Sequence, residues 1–314
     1  MEVVLLGATG FLGARVLRAL SAAGVSGTAL VRGDPKRVHS THFCVVPGAL
    51  PDVPSELFPR EGFVLVHAAT KQRDDDGAGF AENVKAARAL VTAMPDSCRG
   101  VVYVSSLSVY GAGPQRDLRE DAPVRPTTAL AASRAEVEAI LREACDRRGI
   151  ACAILRSRFV VGEGDRFTLP GLLRAFRKGT AIGDESQRLT IIGVDDYASV
   201  IKSLATSPQS LGAVHVGYRR PVTLAEIREA LAERFPLPPV RRRVRGASFI
   251  ASALSLVPWG RARSLGGTLE LLAHDHVARV DALAAAGFGA IVDRDPRDVL
   301  RAAVGTMPAL AEAR

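Results

Sequence analysis

Aromatic residues are scarce. Phe, Trp and Tyr make up 5% of the 314 residues, so Ala, Val and Leu must fill the core that a 47% hydrophobic content can build. The scarcity also removes the aromatic platform on which single-stranded nucleic acid stacks. Cysteine is nearly absent too. Cys44, Cys98, Cys145 and Cys152 have no metal-ligand spacing, which argues against a zinc module and leaves reduced, mostly buried thiols of a cytoplasmic protein. Long apolar runs are missing, so no segment is expected to span a bilayer. No secretory leader is expected, because the first strand begins at residue 2. Charge is plentiful and lopsided, with a net +8 and a pI near 9.8. Arg is spread along the chain instead of forming a stripe, which fits anionic small ligands and not nucleic acid. The length suits one large domain, or a large domain with a smaller partner.

The most informative segment is at the start. Val3-Val4-Leu5-Leu6 is an apolar run, and Gly7-Ala8-Thr9-Gly10-Phe11-Leu12-Gly13 follows at once. Leu12, Val16, Leu17 and Leu20 then recur at helical spacing. Strand, glycine turn and helix in that order suit a dinucleotide phosphate site. Gly7 permits a tight turn, Gly10 lets backbone approach a pyrophosphate, and Gly13 lets the helix pack close to the strand. Free N–H groups at the helix start face the anion.

Further strands are predicted at Thr28–Val31, Phe43–Val46, Phe63–Val66, Gly100–Val104 and Ala151–Leu155. Helices are predicted at about 80–94 and 128–148, and, beyond residue 160, at 168–178, 195–206 and 223–234. The alternation implies an α/β fold, a Rossmann-type doubly wound parallel sheet, with ligands at the carboxyl ends of its strands. The expected division is a dinucleotide-binding domain over 1–160 and a smaller mixed substrate-binding region over 161–314, interleaved with the last strands. Residues 247–257 form an apolar stretch flanked by Arg. This reads first as a cover over an apolar substrate cleft and second as a membrane-surface helix. Asp74-Asp75-Asp76 reads as a solvated cluster, and His274 and His276 read as structural, so no metal site is expected.

Charge bears on the cofactor. An acid usually ends strand two in chains that bind NAD, where it bonds the ribose hydroxyls. Here that position is Val31, followed by Arg32, with Arg37 beyond it. An Arg attracts a 2′-phosphate that a carboxylate would repel, so NADP(H) is favoured over NAD(H).

Together these segments resemble the extended short-chain dehydrogenase/reductase superfamily, in particular its NAD-dependent epimerase/dehydratase-like members. Gly7–Gly13 is similar to the family's cofactor loop. Val66-His67-Ala68-Ala69 resembles the strand-four motif beside the adenine and ribose. Glu82-Asn83-Val84 resembles the helix start whose Asn supports the sheet. Val104-Ser105-Ser106 with Val109-Tyr110-Gly111 resembles the strand-five catalytic segment, and Leu155-Arg156 the strand-six end. The resemblance implies a cofactor site of Gly7, Thr9, Gly10, Phe11, Leu12, Gly13, His67, Ala68, Ala69 and Arg134, to which the charge argument adds Arg32 and Arg37. The family places a catalytic Tyr four residues before a Lys on the helix after strand five. Pro126, Ser133 and Glu138 fit the surrounding frame, which puts Leu130 at the Tyr position and Arg134 at the Lys position. Leu transfers no proton, whereas Arg can still hydrogen-bond a ribose. Ser106 and Tyr110 are then the catalytic candidates. The alternatives are a strand-end hydroxyl bonded to backbone for Ser106 and packing under the substrate loop for Tyr110.

Three functions fit, in this order. The first is an NADPH-dependent reductase of a ketone, imine or enone on a small apolar molecule, with a non-standard proton donor. The second is a nucleotide-sugar epimerase or dehydratase. The third is a non-catalytic NADP(H) sensor. The expected state is a cytoplasmic monomer or homodimer acting on a small-molecule substrate.

Overall fold

The computed structural model of the chain describes residues 1–74, 79–244 and 272–308. Residues 247–257 and most of the acidic cluster after Asp74 lie outside them. The chain divides into two compact units. One comprises Met1–Gly111, Pro123–Ser157 and Val194–Val216, and the other Ala112–Ala122, Arg158–Gly193 and Gly217–Arg314.

The first unit is a seven-stranded parallel sheet. Its strands are β1 (Glu2–Leu6), β2 (Gly27–Val31), β3 (Phe43–Pro47), β4 (Phe63–His67), β5 (Cys98–Ser106), β6 (Ala151–Ser157) and β7 (Gly212–His215). They lie in the order β7-β6-β5-β4-β1-β2-β3. Four helices cover the sheet: α1 (Phe11–Ala22), α2 (Ala81–Ala93), α3 (Ala129–Arg148) and α4 (Val194–Thr206). Helix α1 packs on α4, and α2 on α3. Cover on both faces explains why the strands read as continuous apolar runs: Val3–Leu6 and Phe63–Val66 are wholly buried. Tyr103, Val101, Ile154, Val137, Leu141 and Cys145 belong to one core cluster that joins α3 to the sheet.

Strand order reverses beside β1. The chain runs from β1 out to β3, then returns to place β4 on the other side of β1. Leu6 is in register with Leu30 on one side and His67 on the other, so the carboxyl ends of β2, β1 and β4 are level. A reversal of this kind leaves a crevice at those ends, where ligands of open α/β sheets bind. This is the α/β, Rossmann-type architecture that the alternation predicts.

The second unit is smaller-stranded and mixed. Gln115–Leu118, His276–Ala278, Arg188–Leu189 and Val222–Thr223 form a four-stranded sheet with parallel and antiparallel pairs. Its helices include Thr168–Phe176, Leu224–Ala232 and Pro296–Gly305. Thr223 and Glu226 form a reciprocal capping box at the start of the second of these. No helix among the described residues is long and apolar enough to cross a membrane.

Candidate functional site

The turn after β1 is shaped by its own backbone. Gly7 has φ +88°, and a Cβ there would lie 2.7 Å from the carbonyl group of Ala68. A Cβ on Gly13 would lie 2.0 Å from the Gly7 oxygen. These two glycines are therefore required by close packing of turn, helix and β4. Gly10 is different. Its nearest neighbour to an added Cβ is the Gly7 oxygen at 3.2 Å, and the residue is exposed. Gly10 is also the N-cap of α1, with no side-chain cap and no acid in the first turn. The first N–H groups of α1 are thus left to an anion. Thr9, Phe11 and Leu12 are half-buried around this opening.

Ala68 and Ala69 sit against the turn, and the Ala68 N–H donates to the Leu6 carbonyl at 3.0 Å. His67 lies beneath them, 2% exposed, with its ring 5.2 Å from that of Tyr103. Its Nδ1 has no partner among the described residues. Burial pushes its pKa from 6.5 down to about 4. The folded chain thus keeps this ring neutral where an unfolded chain would protonate it. The resulting stability is complete above pH 6.5 and is lost as pH falls toward 4, by about 3 kcal/mol in all. Urea unfolding of His67→Phe should lose less stability between pH 7 and pH 5 than wild type does. Equal losses in the two proteins would mean that His67 does not titrate in this window.

At the end of β2, Val31 is 1% exposed and faces the core. Arg32 is the first side chain to emerge. It and Arg37 are exposed, and neither side chain pairs with a carboxylate among the described residues. Asp34, which the sequence reading did not weigh, accepts the Lys36 N–H at 2.9 Å and caps the short turn Pro35–Arg37.

The carboxyl ends of β5, β6 and β7 carry a buried polar chain. Ser105 donates to Glu138 of α3. Arg156 of β6 donates to both Glu138 oxygens, at 3.1 and 2.5 Å, and to the Tyr110 hydroxyl at 2.5 Å. The Tyr110 hydroxyl is also 2.8 Å from His215 Nε2 of β7, with the two rings edge-on. Tyr110 is thus engaged inward by two buried residues. Ser106 accepts the Ser108 N–H at 3.2 Å and caps the turn Leu107–Tyr110. This is the backbone bond foreseen as the alternative for Ser106, and it leaves the hydroxyl proton itself without an acceptor among the described residues. The structure joins Arg134 to the same end, where its guanidinium reaches Ser108 Oγ at 3.4 Å. Leu130, half-buried, lies one turn earlier on α3. Asn83 ties α2 to this helix through Ser133 Oγ at 3.1 Å and holds both backbone groups of Lys71.

Sequence reasoning named Glu138 and Arg156 only as frame markers and missed His215 altogether. A histidine inside the apolar run Val214–Val216 was the available signal.

Residues 3–217 match the NAD dependent epimerase/dehydratase family. The chain belongs to that family. Among curated relatives, the 2-alkyl-3-oxoalkanoate reductase of Shewanella oneidensis is 28% identical over 259 residues, covering 76% of this chain and 67% of that protein. A 4-hydroxy-2-methyl-3-oxo-4-farnesyl-3,4-dihydroquinoline-1-oxide ketoreductase of Stigmatella aurantiaca is 30% identical over 186 residues, covering 56% of this chain. The chain spans only 55% of that second relative. Among solved structures, the Bordetella bronchiseptica enzyme WbmH in complex with NAD+ superposes with a TM-score of 0.74 at 19% identity over 97% of each chain. A Thermus thermophilus UDP-glucose 4-epimerase complex with NAD gives 0.72 at 22% identity over 98% of each chain. At such identities these structures show the shared fold alone. The family and the reductase-named relatives support an oxidoreductase that uses a nicotinamide dinucleotide. The residues present fit such a cofactor: the uncapped start of α1 suits its pyrophosphate, and Gly10 leaves the approach clear.

Proposed function

We propose that this family member is an NADPH-dependent reductase of a carbonyl, imine or enone on a small, largely apolar molecule, working in the cytoplasm. The observation that carries the reading is the pairing, on one sheet edge, of an anion-ready helix start with a strand-five hydroxyl whose proton is uncommitted. The first N–H groups of α1 bind the pyrophosphate over Gly7, Thr9, Gly10, Phe11, Leu12 and Gly13. Arg32, assisted by Arg37, takes the 2′-phosphate. His67, Ala68 and Ala69 shape the ribose side of the crevice, and Arg134 holds the cofactor's far end. When bound, NADPH supplies the hydride. Ser106 donates a hydrogen bond to the substrate oxygen, and water returns the proton through that hydroxyl, because Leu130 has none to give. Tyr110 supports the loop from beneath. The relatives named for oxo-group reduction point the same way.

NADPH absorbance followed against a panel of ketones, imines and enones tests the activity. No oxidation with any of them would favour the non-catalytic NADP(H) sensor. Cofactor preference has its own test. Arg32→Ala should weaken NADPH binding about tenfold or more, since a charge-assisted contact contributes roughly 1.5–3 kcal/mol, and should leave NADH binding nearly unchanged. Fluorescence titration reads both. Equal affinity of wild type for the two cofactors would refute the phosphate role of Arg32.

A further inference from the structure

The fold gathers cations that lie apart in the sequence. No acid occurs between Asp165 and Asp184, a stretch that carries Arg174, Arg177 and Lys178. None occurs between Glu233 and Glu270, a stretch that carries Arg241, Arg242 and Arg243. The second unit joins the two stretches. Strand Arg242–Val244 pairs in parallel with strand Thr180–Ile182, and the N–H groups of Arg241 and Arg242 donate to the Gly179 carbonyl at 2.9 and 3.2 Å. The end of the helix Thr168–Phe176 leads directly into Gly179, so its three cations and the three of the strand share one corner. All six side chains are exposed, and none forms an ion pair among the described residues. Arg243 donates to the Gly183 carbonyl at 3.1 Å, which leaves its charge uncompensated. The acids that flank the first stretch are engaged elsewhere. Asp165 is buried and accepts the N–H groups of Phe167, Thr168 and Leu169. Asp184 accepts from the Ser186 N–H and hydroxyl, with the Arg243 charge a minor influence on it.

A helix C-terminus favours cations, which accounts for part of the first group but does not reach three arginines on a strand. Like charges gathered on one face repel one another, so this corner is matched to a polyanion. We propose that it docks on the surface of an anionic phospholipid bilayer. A protein partner would need apolar or aromatic anchors, and all six of these residues are cationic. Between the remaining polyanions, the sequence beyond Val244 favours the bilayer. That sequence lies outside the described residues, and it stays free of acid while turning apolar over 247–257. A nucleic acid offers phosphates alone, whereas a bilayer offers anionic headgroups beside an apolar phase. Docking there would bring the chain to the phase in which a largely apolar substrate concentrates.

The test is flotation of the full chain with phosphatidylcholine vesicles, with and without an equal share of phosphatidylglycerol. Wild type should float with the anionic vesicles and not with the neutral ones. Binding should fall away toward 1 M salt, where the screening length is about 3 Å. The triple variant Arg177→Gln, Lys178→Gln and Arg242→Gln should bind about a hundredfold more weakly, since each basic side chain near such a surface contributes about fivefold. A second triple, Arg18→Gln, Arg60→Gln and Arg142→Gln, removes the same charge from exposed positions of the first unit and should retain most of the binding. Both triples alter exposed side chains only, so circular dichroism should match wild type. Equal loss in the two triples overturns the proposal, because net charge and not this corner would then govern binding. Flotation with neutral vesicles as strong as with anionic ones overturns it too, and so does flotation with neither. Tighter binding of duplex DNA than of anionic vesicles, read by fluorescence anisotropy and lost in the first triple, would assign the corner to nucleic acid instead.

Discussion

Glu138→Ala should destabilise the fold by about 3–5 kcal/mol, the range expected when one partner of a buried ion pair is removed. Glu138 and Arg156 are each 2% exposed, so removing the carboxylate leaves the guanidinium inside the protein without its counter-charge. The wild-type balance shows what is lost. Burial alone acts against the Arg156 charge, yet the hydrogen bonds and charge of Glu138, with a further contribution from Tyr110, bring its pKa above the ordinary value. Without Glu138, Arg156 keeps only Tyr110 as a side-chain partner among the described residues, and Ser105 loses its acceptor. Glu138→Gln, which keeps the shape and one acceptor oxygen, should cost less. A paired change to apolar residues, Glu138→Leu with Arg156→Met, should recover part of the loss, because it leaves no charge unpaired. Urea unfolding measures each: the midpoint should fall for Glu138→Ala with no change of slope. A loss below about 1 kcal/mol would mean that the pair is not the anchor between α3 and β6.

The parts of this molecule that obey one strong local rule were legible in the sequence. The Gly7–Gly13 turn was, because two of its glycines answer to backbone contacts that no other residue permits. Helix α3 was placed to within a residue of its observed bounds, with Thr128 capping its start and Gly149, at φ +61°, closing its end. The strands of the parallel sheet announced themselves as apolar runs, since burial on both faces leaves no alternation to disguise them. Gln115–Leu118 did not. Three of its four residues are polar, and it is a strand because it pairs with His276–Ala278, far away in the chain. The polar chain from Ser105 to His215 was hidden for the same reason. Each member stands on a different element, and sequence spacing cannot show that Tyr110 meets Arg156 and His215. Ser106 was visible as a strand-end hydroxyl, but its bond to Ser108 and the nearness of Arg134 belong to the folded turn.

Ser106→Ala should lower kcat by about 10²–10³-fold while leaving NADPH affinity near the wild-type value, which is the typical effect of removing one donor to a developing oxyanion. The hydroxyl has two duties in the structure, and they must be told apart. As the cap of Leu107–Tyr110 it accepts the Ser108 N–H, and losing a cap of this kind costs about 1 kcal/mol of stability. That cost shifts the melting temperature by a few degrees and does not by itself slow chemistry a hundredfold in protein that remains folded. Ser106→Thr keeps both cap and donor, so it should retain most of the turnover. Tyr110→Phe is the complementary variant. It strips the hydroxyl from Arg156 and His215, which should reduce stability more than it reduces kcat, because that hydroxyl faces buried partners. Leu130→Tyr need not raise the rate: Leu130 is already half-buried, and a phenol there would compete for space with the apolar substrate of the proposed reading. If Ser106→Ala and Tyr110→Phe both turn over at the wild-type rate, neither hydroxyl delivers the proton. Solvent would then have to protonate the substrate oxygen directly, with Arg134 as the remaining polar group beside Ser108 able to steady its charge.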